Sequence, residues 1–153
     1  MIQKASVNDA EEILSVINIS NYKAYKKIIP KEYFKEPILT LKELLEEFKR
    51  MIFYVYRYEG KIVGVAALRI KNEESGSIHR VYVLPEYQRK GIGTALMKFI
   101  EAEAKRQGLK KLWLFTLEKA YWAVNFYKKL GYRVTGKVER PWGTDVIMEK
   151  ALE

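Results

Sequence analysis

The chain reads as one α/β domain, with a mixed, mostly antiparallel central sheet, a parallel strand pair at its centre and helices on both faces. Three observations predict this. Ile52–Tyr58 and Lys61–Ile70 are β-rich runs separated only by Glu59-Gly60, the composition of a tight hairpin. Ser77–Leu84, the helical stretch Thr94–Gln107 and the apolar run Lys111–Leu117 form a strand-helix-strand crossover, which joins parallel neighbours with right-handed geometry. The length of 153 residues, 48% of them hydrophobic, supplies one sizeable core and is too short for two ordinary ones, so residues 1–153 are expected to form a single domain.

The elements follow in order. Ile2–Val7 reads as a first strand, and Asn8 or Asp9 can cap a helix whose Ala10, Ile13, Leu14 and Ile17 share a face. The stretch from Tyr22 to Pro37, rich in lysine and aromatics, is less regular. Thr40-x-x-Glu43 is a capping box ahead of Leu41, Leu44, Leu45 and Phe48. After the hairpin, a turn at Asn72–Gly76 leads into the crossover. A helix over Tyr121–Leu130 stops at Gly131, and Tyr132–Gly136 and Thr144–Lys150 supply two last strands around the turn Arg140-Pro141-Trp142-Gly143.

Composition removes several function classes. Without cysteine there is no disulfide, no thiolate metal site and no acyl-cysteine intermediate. His79 is the single histidine, so a zinc site has no second imidazole, and no metal is expected. The apolar runs are short and broken by charges, which predicts a soluble, cytoplasmic protein with no membrane partner. With 28 Lys and Arg against 19 Asp and Glu, the net charge of +9 attracts polyanions, whether cofactor, nucleic acid or acidic protein.

The segment Val81-Tyr82-Val83-Leu84-Pro85-Glu86-Tyr87-Gln88-Arg89-Lys90-Gly91-Ile92-Gly93-Thr94 narrows that choice to a phosphate ligand. Glycines let backbone approach a ligand closely, and a helix start offers unpaired N–H groups and the positive end of its dipole. The residues after Gly91 lack the Gly-Lys-Ser/Thr triplet of a nucleoside triphosphate loop. Leu96 stands where a dinucleotide fingerprint needs a third small residue.

Gln88-x-x-Gly91-x-Gly93 after a strand and into a helix resembles the acetyl-CoA signature of the GNAT N-acetyltransferases. Ala123-x-x-Phe126-Tyr127-Lys128-Lys129-Leu130-Gly131-Tyr132 is similar to that family's second segment, in the right order and after a strand. The resemblance implies that Gln88, Arg89, Lys90, Gly91, Ile92, Gly93 and Thr94 surround the pyrophosphate, mainly through backbone N–H groups. It also implies that the backbone of Val81, Tyr82 and Val83 pairs with the pantetheine arm where the next strand splays away. An N–H near Val83 or Leu84 would polarise the thioester oxygen. Acetyl transfer to a primary amine (a peptide N-terminus, a lysine or a small amine) would then be direct, through a ternary complex.

Tyr127 matches the tyrosine that protonates the departing thiolate in many relatives, although its spacing also suits an aromatic in an apolar stripe. The transfer is taken as feasible because a tyrosine pKa of about 10 lies above a thiol value of about 8.5. Ala120 stands where the family often has asparagine, and Ser77 where some relatives carry a glutamate base. The base is therefore open among His79, Glu73, Glu74, Glu118 and water. By strand alternation His79, Val81 and Val83 face one way and Tyr82 the other. Lys23, Lys26, Lys27, Lys31 and Lys35, interleaved with Tyr22, Tyr25, Tyr33 and Phe34, read as a charged face over core aromatics rather than a nucleic-acid patch, since no nucleic-acid motif accompanies them. A CoA-binding sensor without activity and a basic nucleic-acid-binding module are the rival readings, and Trp142 or Tyr33 offers a homodimer surface.

Overall fold

A computed structural model describes residues 1–153. The chain runs β1 (Ile2–Lys4), α1 (Ala10–Tyr25), α2 (Leu41–Phe48), β2 (Ile52–Tyr58), β3 (Lys61–Ile70), β4 (Ser75–Val83), α3 (Ile92–Arg106), β5 (Lys111–Leu117), α4 (Tyr121–Lys129), β6 (Arg133–Arg140) and β7 (Gly143–Ala151). The seven strands order as β1-β2-β3-β4-β5-β7-β6, antiparallel at every step except β4 with β5. The mixed sheet with one central parallel pair is thus as expected.

Local chemistry explains the boundaries. Glu59 and Gly60 both take positive φ, 50° and 80°, as the two-residue turn between right-twisted strands demands. Thr40 accepts from the Glu43 amide at 3.2 Å, and Glu43 Oε1 accepts from the Thr40 amide at 2.8 Å, which completes the capping box of α2. α3 starts at Ile92 rather than Thr94, because Gly91 adopts φ 82° and itself serves as the N-cap. β1 is shorter than expected and gives way to a 3-10 turn at Val7–Asp9, while β6 runs on to Arg140 beyond the expected Gly136 because β7 pairs with it along that length.

The core lies on both sides of β3, whose residues from Ile62 to Leu68 are buried. α3 covers one face so closely that a Cβ on Gly64 would stand 2.9 Å from Ile92 Cγ2. α1 and α2 cover the other, with Ile13, Ile17 and Leu44 fully buried. At roughly 25 cal/mol per Å² of apolar surface removed from water, each such side chain contributes about 2 kcal/mol.

Two irregularities shape the functional end of the sheet. The parallel ladder between β4 and β5 covers only Ser75–Ser77 against Lys111–Trp113, after which the strands part. In β4 the register against β3 slips by one residue opposite Ala66, with Arg80 at φ 54°. The slip overturns the expected alternation: Val83 leans toward Gly93 of α3, whereas Tyr82, like His79, faces α1 and α2.

Candidate active site

The parting of β4 and β5 opens a cleft of about 430 Å³. Its walls come from both strands, the end of α1, Glu47 of α2, Tyr127 of α4, and Trp142 and Asp145 of the last hairpin. α4 closes the end of the opening by packing across two helices. Phe126 would meet a Cβ on Gly93 at 3.3 Å, and the Trp122 ring lies 6.2 Å from that of Tyr25.

Past Val83 the chain turns through Pro85–Tyr87 and reaches the glycine turn. The amides of Arg89, Lys90, Gly91, Ile92, Gly93 and Thr94 donate to no acceptor in the protein, since the first backbone bond of α3 is Ala95 N to Gly91 O at 2.9 Å. A run of free donors at a helix N-terminus suits a diphosphate. The two glycines serve different needs: Gly91 supplies its positive φ in open space, and Gly93 lets Phe126 approach. The Ile92 side chain is in the core and can offer a ligand only its backbone. Gln88 is tied back to the strand, its Nε2 donating to Val83 O at 3.0 Å, an oxygen that also accepts from Ser20 Oγ at 3.2 Å. Arg89 and Lys90 are exposed and make no ion pair within the protein.

Leu84 N donates to Val63 O at 2.9 Å, so of the two amides considered for the thioester oxygen, that of Leu84 is already engaged. Alternation along the strand then aims the amides of Val81 and Val83 at the opposite edge, where β5 has moved away.

Deeper in the cleft lie three tyrosines. Tyr82 donates its hydroxyl to Asn21 Oδ1 at 3.0 Å. Tyr127 and Tyr25 make no side-chain hydrogen bond, and no buried polar side-chain atom lacks a partner, so both hydroxyls open on the cleft. Burial raises the Tyr127 phenol well above its ordinary value, with Tyr25 and Tyr82 adding to the effect. Burial also raises Tyr25, helped by Tyr82 and Asp145. His79 shares a 2.7 Å contact between its Nε2 and Ser77 Oγ, and burial followed by the Arg80 charge holds its pKa below the usual imidazole range.

The profile of the Acetyltransferase (GNAT) family matches residues 19–132. The chain belongs to that family. Across nearly its whole length this GNAT protein is similar to the spermidine N(1)-acetyltransferase of Thermoplasma acidophilum, 29% identical over 161 residues, spanning 99% of this chain and 97% of that one. It also matches the probable N-acetyltransferase 14 of Xenopus tropicalis, 34% identical over 89 residues, but over only 58% of this chain and 43% of the frog protein. Among solved structures it resembles the PaiA N-acetyltransferase from Thermoplasma acidophilum in complex with coenzyme A, with a TM-score of 0.81 and 26% identity over 99% of this chain and 98% of the other. It shares the fold of the ribosomal-protein-S18-alanine N-acetyltransferase from Escherichia coli, TM-score 0.81 at 18% identity, over 100% and 94% of the two chains.

As a GNAT member the protein is an acyltransferase that uses acetyl-CoA as cosubstrate. The structure brings Val81, Tyr82 and Val83, Gln88 to Thr94, and Tyr127 around one end of the sheet, where the two sequence segments meet. Of the base candidates, Glu73 and Glu74 lie just beyond the opposite end of β4, about nine or ten residues or roughly 30 Å of strand from Val83. Glu118 is an exposed partner of Lys137 at 2.7 Å. His79 alone among the named side chains lines the cleft. Sequence reasoning missed Glu47, Asn21 and Asp145, and Tyr25 as a cleft residue. Arg80 takes both oxygens of Glu47, at 3.1 and 2.7 Å, whereas Arg140 takes only Oδ2 of Asp145, at 3.0 Å. No helix of the protein is long and apolar enough to cross a membrane.

Proposed function

We propose that residues 1–153, acting as one domain, transfer the acetyl group of acetyl-CoA directly to the primary amine of a small aliphatic polyamine. The observation that carries this reading is the parting of β4 from β5, which exposes free strand amides in line with the free amides of Arg89–Thr94. Together they suit a ligand with a diphosphate at one end and an amide-bearing arm at the other. Similarity to a spermidine acetyltransferase over almost the full length supports the polyamine, as does the cleft wall. Tyr25, Tyr82 and Trp142 line the cleft, where aromatic rings suit ammonium groups, and Asp145 keeps Oδ1 free of its arginine.

In this reading the Val83 amide, with that of Val81, donates to the carbonyl oxygen as the amine nitrogen attacks the thioester carbon. The C–N bond forms, the C–S bond breaks, and His79, directly or through a water, takes the proton that the amine loses. The depressed pKa of His79 keeps the ring neutral at pH 7 and able to accept. Tyr127 stands beside the leaving sulfur, but the expected proton delivery needs correction. A phenol whose pKa lies above that of a thiol stays protonated, yet complete transfer from it to a thiolate is uphill, and burial widens the gap. Tyr127 instead donates a hydrogen bond to sulfur while C–S breaks; CoA leaves as the thiolate and takes its proton from water, while His79 returns the amine's proton to solvent.

The test is thiol release from acetyl-CoA against a panel of spermidine, spermine, putrescine, free lysine and peptides with free N-termini. Turnover with the polyamines above the others supports the assignment. Preference for peptides removes the polyamine, and CoA binding without thiol release from any acceptor makes the chain a sensor.

A further inference from the structure

We propose that Glu47 of α2 locks Arg80 in its left-handed conformation and thereby keeps the β4 bulge in the shape that turns the Val81 and Val83 amides into the cleft. Both residues are then positioning residues for the cosubstrate, a role that rests on reading the parted strands as its binding edge. Before the bulge, odd-numbered residues of β4 bond to β3, as Lys71 N to Ser75 O at 3.0 Å shows. Beyond it, even-numbered ones do, as Leu84 N to Val63 O at 2.9 Å shows. Had the first register continued, Val81 and Val83 would spend their amides on β3, and Tyr82 would turn from α1 toward α3. The inserted residue therefore decides which amides face the opening.

That residue has no intrinsic reason to adopt its conformation. Glu59 and Arg89, the other non-glycine residues with positive φ, sit in turns, whereas Arg80 lies inside a strand at φ 54°. The left-handed region is unfavourable for an arginine, so something outside the strand must hold it. Glu47 does so with a two-pronged contact: Arg80 Nε donates to Oε1 at 3.1 Å and Nη2 to Oε2 at 2.7 Å. The side chains are 25% and 11% exposed, which protects the pair from water and fixes its direction. Glu47 is the one charged residue among the buried residues of the chain, and both of its oxygens are committed to Arg80.

The experiment separates backbone positioning from simple stabilisation by changing residue 80 in a Glu47→Gln background. Affinity for CoA by calorimetry and kcat/KM for acetyl-CoA are read alongside the melting temperature. Glu47→Gln should weaken CoA binding about tenfold, the worth of one or two hydrogen bonds. Adding Arg80→Gly, which accepts positive φ freely, should restore binding to within about threefold of the natural chain, whereas adding Arg80→Ala should not. The melting temperature should stay low in both double variants, because neither recovers the ion pair. Arg80→Asn, also tolerant of that conformation, replaces the glycine variant if the latter does not fold. Unchanged CoA affinity in Glu47→Gln, or equal losses with glycine and alanine, would overturn the proposal. Since the calorimetric reading needs no acceptor, it is independent of whether polyamines are the substrate.

Discussion

Tyr127 shows what a single side chain can and cannot reveal by its type. Its spacing suits a core stripe, and it is buried, but its hydroxyl is left without a partner and opens on the cleft. An aromatic kept only for packing gains nothing from an unpaired hydroxyl. Tyr127→Phe should therefore lower kcat by about 10- to 100-fold, the worth of one hydrogen bond to a charged group, with CoA affinity unchanged by calorimetry. An unaltered kcat would return Tyr127 to the core. Asp145 is the complementary case, with one oxygen on Arg140 and the other free toward the cleft. Asp145→Asn should raise the KM for spermidine about tenfold while leaving that for acetyl-CoA as it was, consistent with loss of one charge-assisted contact. Equal changes in both constants would place Asp145 outside acceptor recognition. Nothing in the sequence around Asp145 marks it. Its partners in the cleft arrive from distant parts of the chain.

Among the elements, the turn into α3 carries the most readable function. Gln88, Gly91 and Gly93 signal a strand-to-helix turn on sight, and the free amides of Arg89–Thr94 confirm its geometry. The amides should matter more than the cations, because Arg89 and Lys90 are exposed and their attraction is screened by salt. Gly91→Val must adopt an unfavourable φ and Gly93→Val must push Phe126 aside. Each should weaken CoA binding about tenfold or more, whereas Arg89→Ala or Lys90→Ala should cost about threefold or less at 0.15 M salt. The reverse ranking in titration calorimetry would mean that side-chain charge dominates. Strands β2, β3 and β5 match their sequence boundaries because turn residues bracket uninterrupted apolar or β-branched runs. β6 extends past the expected end at Gly136 through the charged Lys137, Glu139 and Arg140, because an edge strand tolerates such charges and takes its length from β7. The bulge in β4 was invisible, because no glycine, proline or asparagine stands at Arg80 to announce it.

For the molecule as a whole, the absence of cysteine and the convergence of both GNAT segments on one cleft predict direct transfer. Initial-rate plots against both substrates should intersect; parallel lines would demand a covalent acetyl-enzyme. Stability should depend on pH through His79, whose folded pKa lies below the unfolded value of about 6.5. Between the two values the unfolded chain binds the extra proton, so stability rises with pH there. The contribution is complete above about pH 6.5 and is lost as the solution is acidified through and below that value. Thermal melts from pH 7.5 to 5 should show the loss, and His79→Gln should flatten that part of the profile. An equal slope in the variant would assign the acid sensitivity elsewhere.

From the sequence alone came the order of the elements, the single parallel crossover, the glycine turn and the tyrosine-bearing segment, because each is written in contiguous residues through period, turn chemistry and capping. Tertiary structure decided which amides face the opening, which carboxylates reach it, and how far Tyr127 sits from ordinary phenol behaviour. Those properties arise between segments: the left-handed Arg80 is held by Glu47 on α2, and the Tyr127 phenol is perturbed by burial beside Tyr25 and Tyr82. Periodicity reports which face of an element is buried, but a register slip or a charge pair across the sheet exists only after the chain has folded.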